Sequence, residues 1–288
     1  MDPIRTLLDQ TAPLSAPLLT PELQRLYGGD LAFPAPDGQP YVIGNFVSTI
    51  DGIVSFRIPG KSGGGDISGN NESDRFVMGL LRASADAVMI GAGTLHATAA
   101  GHAWTAEAIY PDGARFYGDY RKSVLRKGEP PLTVIVSASG VVDLGRPMFR
   151  AAGIAIRILT SAKGRDRLRS AGVDRLPSIE AVALGDASGV LDPTSMLQYL
   201  RTACGVRLLL HEGGPTLFGE FAGAGLVNEC FLTVAPQLAG GSLEKPRPTM
   251  IWGTEFTPET APWFRLLSLK QSGDHLFLRY GLRRPSST

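Results

Sequence analysis

The stretch Ala87-Val88-Met89-Ile90-Gly91-Ala92-Gly93-Thr94 decides how this chain folds. Its unbroken apolar run reads as a short buried strand, and the glycines that follow turn the chain into a helix. The stretch Leu208-Leu209-Leu210-His211-Glu212-Gly213-Gly214-Pro215-Thr216-Leu217 repeats the design. At such turns glycine lets the backbone approach a ligand closely, and the free N–H groups of a helix start attract phosphate oxygens. The carboxyl end of a strand is also where open α/β sheets place nucleotides. Each turn alone would equally serve a plain helix entry. Neither is a G-x-G-x-x-G with an acidic residue about 20 positions on, and neither is a P-loop. Two of them in one sheet, with Ser137-Ala138-Ser139 closing a third strand, point together to a nucleotide site. Small hydroxyls at a strand end can hold a ribose phosphate, although they also serve as turn residues.

Working outward, apolar runs predict strands over 41–48, 132–136, 154–159, 206–210, 230–234, 264–269 and 276–280. Helical spacing places Phe76, Val77, Leu80 and Leu81 on one face of a helix over 72–83. Further helices are expected over 193–202, introduced by Asp192, and from Pro215 through Phe221. Strands thus alternate with helices and then follow one another. That order predicts an α/β fold with a mainly parallel central sheet, antiparallel closing strands and flanking helices. Residues 59–69 read as a glycine-rich loop. Residues 96–127 are polar, aromatic and aperiodic, and read as a long excursion with a helix around 113–124. An excursion of that length in a compact domain is more often functional than incidental, and it is expected to shape or cover the substrate pocket. Residues 1–39 form an arm, with Thr20 capping and Pro21 opening a short helix through Leu26. The arm is expected to pack on the domain, 40–288, or on a partner subunit.

Composition bounds the function. The 288 residues carry a formal net charge of +1, which gives no bulk pull toward nucleic acid or an anionic membrane. The amino terminus lacks a basic segment followed by an apolar core, and no run approaches the roughly 20 apolar residues of a membrane span. A cytoplasmic protein is expected. Cys204 and Cys230 have no metal-ligand spacing and read as small core residues. His96, His102, His211 and His275 form no H-x-E or H-E-x-x-H pattern, so no metal is expected.

The set Asn45-Phe46-Val47-Ser48-Thr49-Ile50-Asp51-Gly52, Ile67-Ser68-Gly69, Leu81-Arg82-Ala83 through Thr94, Glu212 through Leu217, Ala224 through Glu229 and Ala235 through Gly241 stands in a familiar order. It resembles the carboxy-terminal reductase domain of the riboflavin-biosynthesis deaminase/reductase. The likeness covers nearly all of 41–280. It implies a dihydrofolate-reductase-like fold, NADPH as hydride donor and a homodimer. Gly91, Gly93 and Thr94 would meet the cofactor phosphates, with Ser137 and Ser139 on the side of the adenosine 2′-phosphate. Glu212, Gly213, Gly214, Thr216 and Leu217 would line the nicotinamide and pyrophosphate, with Thr49 over the nicotinamide. Asn45, Asp51, Ser68 and Arg82 would contact a small heterocyclic substrate; Arg82 could instead be a helix C-terminal charge that complements the dipole. Asp51 and Glu212 are the catalytic candidates, with Asp74 as a further acid; each could equally be a cap or a backbone-tying carboxylate.

Departures from that family concentrate on the substrate side. No deaminase zinc motif precedes Tyr41, so a reductase alone is expected. The family's acidic pair, proline and arginine after the glycine turn are replaced by Leu95-His96-Ala97-Thr98, its helix histidine by Gly79 and its lysine after the Asp-Gly turn by Ile53. The pattern is closer to stand-alone pyrimidine reductase-like proteins. Lys61, Arg115, Arg121 and Lys122 are the basic residues that could replace the missing phosphate contacts, against the plainer reading of a solvated face. Three functions are compatible with these residues: an NADPH-dependent reductase of a pyrimidine or pteridine metabolite, with 5-amino-6-(5-phosphoribosylamino)uracil as the candidate; a dihydrofolate reductase; or a non-catalytic dinucleotide-binding protein.

Overall fold

The computed structural model describes residues 1–12, 18–98, 103–185 and 189–283. The chain runs through β1 (Arg5–Asp9), α1 (Pro21–Tyr27), β2 (Tyr41–Thr49), α2 (Gly64–Ser68), α3 (Glu72–Ser84), β3 (Ala87–Gly91) and α4 (Ala92–Ala97). Then come α5 (Ala106–Ile109), α6 (Ala114–Asp119), β4 (Leu132–Val136), β5 (Ile156–Thr160), α7 (Ala162–Ser170) and β6 (Ile179–Ala183). It ends with α8 (Pro193–Thr202), β7 (Leu208–His211), α9 (Pro215–Gly223), β8 (Glu229–Ala235), β9 (Phe264–Ser272) and β10 (His275–Leu282).

All the strands join one 10-stranded sheet in the order β1-β9-β10-β8-β2-β7-β3-β4-β5-β6. From β8 to β6 neighbours run parallel, whereas β10, β9 and β1 are added antiparallel. This is the mainly parallel sheet with antiparallel closing strands that was expected. The apolar runs are unbroken because both faces of the central strands are covered. Within β3, Val88 and Ile90 enter one core with Phe76, Leu80 and Leu81 of α3. Ala87 and Met89 enter the other, with Leu197 of α8 and Phe221 of α9.

Four elements escaped the sequence reading. The glycine loop closes into α2, β1 is an edge strand with all of its residues exposed, and α7 and β6 lie on the far flank. Edge strands bury little, so neither had a strong hydrophobic pattern. Thr20 precedes α1 as expected but makes no side-chain cap, whereas Asp192 accepts from Ser195 N at 2.9 Å. The arm packs through Ile4, Leu19, Leu23 and Leu26 into the α3-side core.

The excursion is the larger correction. Residues 99–102, His102 among them, lie outside the described residues, but 103–125 are mostly helical: α5, a 3-10 turn at Pro111–Gly113, α6 and a π turn at Tyr120–Val124. Its aromatics turn inward, and Trp104 also borders a cleft, so the excursion does shape a pocket wall. Trp104, Tyr110, Tyr117 and Tyr120 are buried with Phe76. Gly79 has a steric reason: a Cβ there would lie 2.6 Å from the Tyr117 hydroxyl, which donates to Phe76 O at 2.9 Å. Arg121, considered above for phosphate, is buried and donates to the Ala83 and Ala85 carbonyls at the end of α3. Among the described residues, no helix is long and apolar enough to cross a membrane.

Lys270 of β9 ties the arm to the sheet. Its Nζ donates to Thr6 Oγ1 and Gly28 O, both at 2.8 Å, and sits 4.4 Å from the Tyr27 ring. Burial pushes the ammonium down to about 8. The unfolded chain therefore binds more protons between that value and the ordinary lysine value, so this group makes stability rise with pH from about 8 to 10. In chemical denaturation across that window, wild type should gain stability relative to Lys270→Met. Parallel pH profiles for the two proteins would exclude the effect.

Candidate active site

The parallel strands β2, β7, β3 and β4 lie side by side, and their carboxyl ends open onto a cleft of about 1400 Å³. Both glycine turns reach it. Glu212 N donates to Met89 O at 2.8 Å, which continues the pairing of β7 with β3 past its last strand residue. The turns also touch one another: a Cβ on Gly214 would lie 3.3 Å from Thr94 Oγ1, and one on Gly91 would lie 3.8 Å from Leu217 Cδ2. At Gly93 a Cβ would meet nothing within 4 Å, so it would fill cleft space. Glycine at these positions leaves a cradle of backbone at the start of α9, which suits a dinucleotide phosphate.

Of the residues singled out in the sequence, Asn45, Arg82, Gly91, Gly93, Thr94, Glu212, Gly213, Gly214, Thr216 and Leu217 share the cleft lining, and Asp74 joins them. Others stand apart. Ser137 and Ser139 tie the turn after β4, where Ser139 Oγ accepts from Val141 N at 3.3 Å; the lining is instead Val136 and Ala138. Ser68 is buried at the end of α2, outside the lining. Thr49 and Asp51 bind each other and the opposite loop rather than lining the cleft: Asp51 accepts from Ala239 N at 3.1 Å and Gly240 N at 2.7 Å. The Thr49 hydroxyl, followed by those amides, holds its carboxyl down to about 2. Lys61, Arg115 and Lys122 are exposed and also lie outside the lining.

The three carboxyls therefore differ in kind. Asp51 is an exposed, ionised tether. Glu212 gives both oxygens to Arg82, with Nη2 to Oε2 at 2.7 Å and Nε to Oε1 at 3.0 Å. Arg82 is 2% exposed and also donates to Thr105 O at 3.2 Å. It is thus more than a helix-end charge, because it joins α3, the β7 turn and the excursion. Asp74, in the first turn of α3, is fully buried and desolvation pushes its carboxyl up, opposed by the Thr233 and Ser68 hydroxyls. His275 nearby bridges Asn71 Nδ2 at 3.2 Å and Ser68 O at 3.0 Å. His211, by contrast, is buried between Phe218 and Phe221, and desolvation drives its imidazole down to about 3. It accepts from Gly213 N at 3.2 Å and so shapes the turn as a neutral ring.

Some lining residues went unseen in the sequence. Leu191 and Asp192 arrive on the loop after β6, and Trp252 and Thr254 arrive on the long connection between β8 and β9. Only Trp252-Gly253, an aromatic beside a glycine in an aperiodic stretch, offered a signal.

The model of the RibD C-terminal domain matches residues 40–277. The chain belongs to that family. Solved structures agree on the fold. RibD of Acinetobacter baumannii superposes with a TM-score of 0.62 at 20% identity over 86% of this chain, which spans 59% of that one. A pyrimidine reductase-like protein of Corynebacterium diphtheriae gives a TM-score of 0.64 at 21% identity, covering 85% of this chain and 93% of that one. The riboflavin biosynthesis reductase of Saccharomyces cerevisiae gives 0.57 at 14% identity, covering 87% and 93%.

Arg82→Leu leaves Glu212 buried without its partner and should destabilise the protein by about 3–5 kcal/mol. The double variant Arg82→Leu/Glu212→Leu should recover most of that loss. Urea unfolding of the set would decide, and a double variant as weak as the single one would refute the pairing as the cause.

Proposed function

We propose that this protein is an NADPH-dependent reductase of a pyrimidine-type metabolite, with 5-amino-6-(5-phosphoribosylamino)uracil as the first substrate to test. The observation that carries the reading is one cleft holding both the glycine cradle and a buried carboxyl, Asp74, whose proton affinity burial raises. Bound there, a reduced nicotinamide supplies the hydride.

The chain supplies the rest. Gly93, Gly213 and Gly214 let backbone N–H groups approach the pyrophosphate, and Thr94 and Thr216 add hydroxyls at the two helix starts. Arg82 and Glu212 neutralise each other and fix the β7 turn against α3. Asn45 and Asp74 present the polar atoms of the substrate side, with Met78 and Trp104 as apolar walls. As the substrate carbon gains hydride, Asp74 donates a proton to the adjoining heteroatom. This gives the acid's role to Asp74, because Asp51 is an ionised tether and Glu212 is occupied by Arg82.

A second reading, dihydrofolate reduction, is favoured by the same buried carboxyl on α3. NADPH oxidation followed at 340 nm with each compound would choose between the two, and no oxidation with either would sink both. Asp74→Asn should reduce turnover by about 10²–10⁴ while NADPH affinity holds. Because the acid must be protonated, wild-type turnover should fall as pH rises through the elevated Asp74 value. A pH profile unchanged in Asp74→Asn would remove this residue from the mechanism.

A further inference from the structure

Beside the cleft lies a second hollow of about 730 Å³, bounded by 56–59 on one side and by 239–247 on the other. Its charged lining is Arg57, Lys245 and Arg247 against Glu244. None of the three cations forms a salt bridge with a carboxylate among the described residues. Arg57 borders both spaces, so the hollow adjoins the cleft.

The guanidinium groups are held in place without being neutralised. Arg57 lies 4.7 Å from the Trp252 ring centre, with one long hydrogen bond of 3.4 Å from Nη1 to Pro246 O. Arg247 lies 5.0 Å from the Phe56 ring and donates to Ala239 O. Ring stacking and carbonyl contacts orient a guanidinium while leaving its charge and most N–H groups uncompensated. A fork fixed in advance loses little freedom on meeting a planar or tetrahedral oxyanion. Within the main cleft the balance differs. The other cation in its described lining, Arg82, is paired with Glu212, and the described residues of the segment after Thr94 that line it, Ala97, Thr98, Trp104 and Ile109, carry no charge. A phosphorylated ligand in the cleft therefore meets its uncommitted positive charge at Arg57. Trp252 N donates to Pro215 O at 3.2 Å, which fixes the stacked pair beside the start of α9.

We propose that this hollow is a phosphate-monoester site, with Arg57 at its entrance and Lys245 and Arg247 on its far wall. It receives the phosphate end of a substrate whose reducible part lies against Asp74. The assignment to substrate rests on the reductase reading, but the anion site itself does not.

Two measurements separate these levels. Calorimetric titration of the full chain with D-ribose 5-phosphate, D-ribose and inorganic phosphate needs no turnover. Binding of the two phosphates but not of ribose, weakened about 10- to 100-fold in Arg57→Gln and partly restored in Arg57→Lys, supports the site. Equal binding to wild type and Arg57→Gln overturns it, whether or not NADPH is oxidised. Steady-state kinetics with 5-amino-6-(5-phosphoribosylamino)uracil and its dephosphorylated form then assign the ligand. In Arg57→Gln and Lys245→Ala the KM of the phosphorylated compound should rise about 10-fold or more, with kcat within about threefold and the dephosphorylated KM unchanged. Should Arg57→Gln instead weaken NADPH and NADH alike and leave the KM ratio of the two substrates unaltered, Arg57 serves the cofactor pyrophosphate and the proposal fails.

Discussion

The buried pairing of Arg82 with Glu212 holds the site together. It links the last turn of α3 to the residue that follows β7, between elements far apart in sequence. Removing two charges from water is costly unless the geometry is good and the remaining donors are satisfied. Here Arg82 meets both carboxylate oxygens and the Thr105 and Ala103 carbonyls as well, so the excursion is bound into the same knot. One consequence is positional. With Glu212 fixed, Gly213 and Gly214 start α9 at a set distance from Thr94, and the two glycine turns become one cradle. Another is electrostatic: a residue that could have been an acid or a phosphate ligand is neutralised by its partner.

That neutralisation sharpens the chemical division among the carboxyls. Asp51 lies in water and accepts two backbone amides and a hydroxyl, so its charged form is favoured. Asp74 forms no salt bridge among the described residues, and burial favours its neutral form. The same residue type is a tether in one place and a proton store in another. Solvent and partners decide which, and neither is written in the residue or its immediate neighbours.

This explains what could be read in advance. The order of strands and helices, the two glycine turns and most of their cleft-lining residues were legible, because fully buried parallel strands leave unbroken apolar runs and glycine leaves a conspicuous turn. Elements lying at an edge were not: β1, whose residues are all exposed, and β6, short and half-exposed at the far edge, bury too little surface to announce them. The serines after β4 looked like ligands in the sequence, yet a residue's position in a turn does not say which way its side chain faces. Ala138 between them lines the cleft instead. Trp252 and Leu191 come from connections whose place is set only by what they pack on.

Gly79 and Tyr117 show how a local replacement can depend on a distant segment. Gly79 alone reads as a lost side chain on α3. In the folded chain that space belongs to the Tyr117 ring, and Gly113 is also pressed against it, with a Cβ there lying 2.5 Å from Tyr117 Cε2. Glycine normally weakens a helix interior by about 1 kcal/mol relative to alanine, a cost outweighed where it admits a buried aromatic. The excursion therefore packs on α3 with its aromatics inward, which turns Arg121 to the α3 carbonyls and keeps it from the cleft. Two of the basic residues that sequence spacing offered for phosphate stay outside for related reasons: Arg121 is buried as a cap, and Arg115 faces solvent near Asp119. Positive charge reaches the cleft instead from the loop after β2, where Arg57 is carried on backbone with a φ of 52° and rests on Trp252.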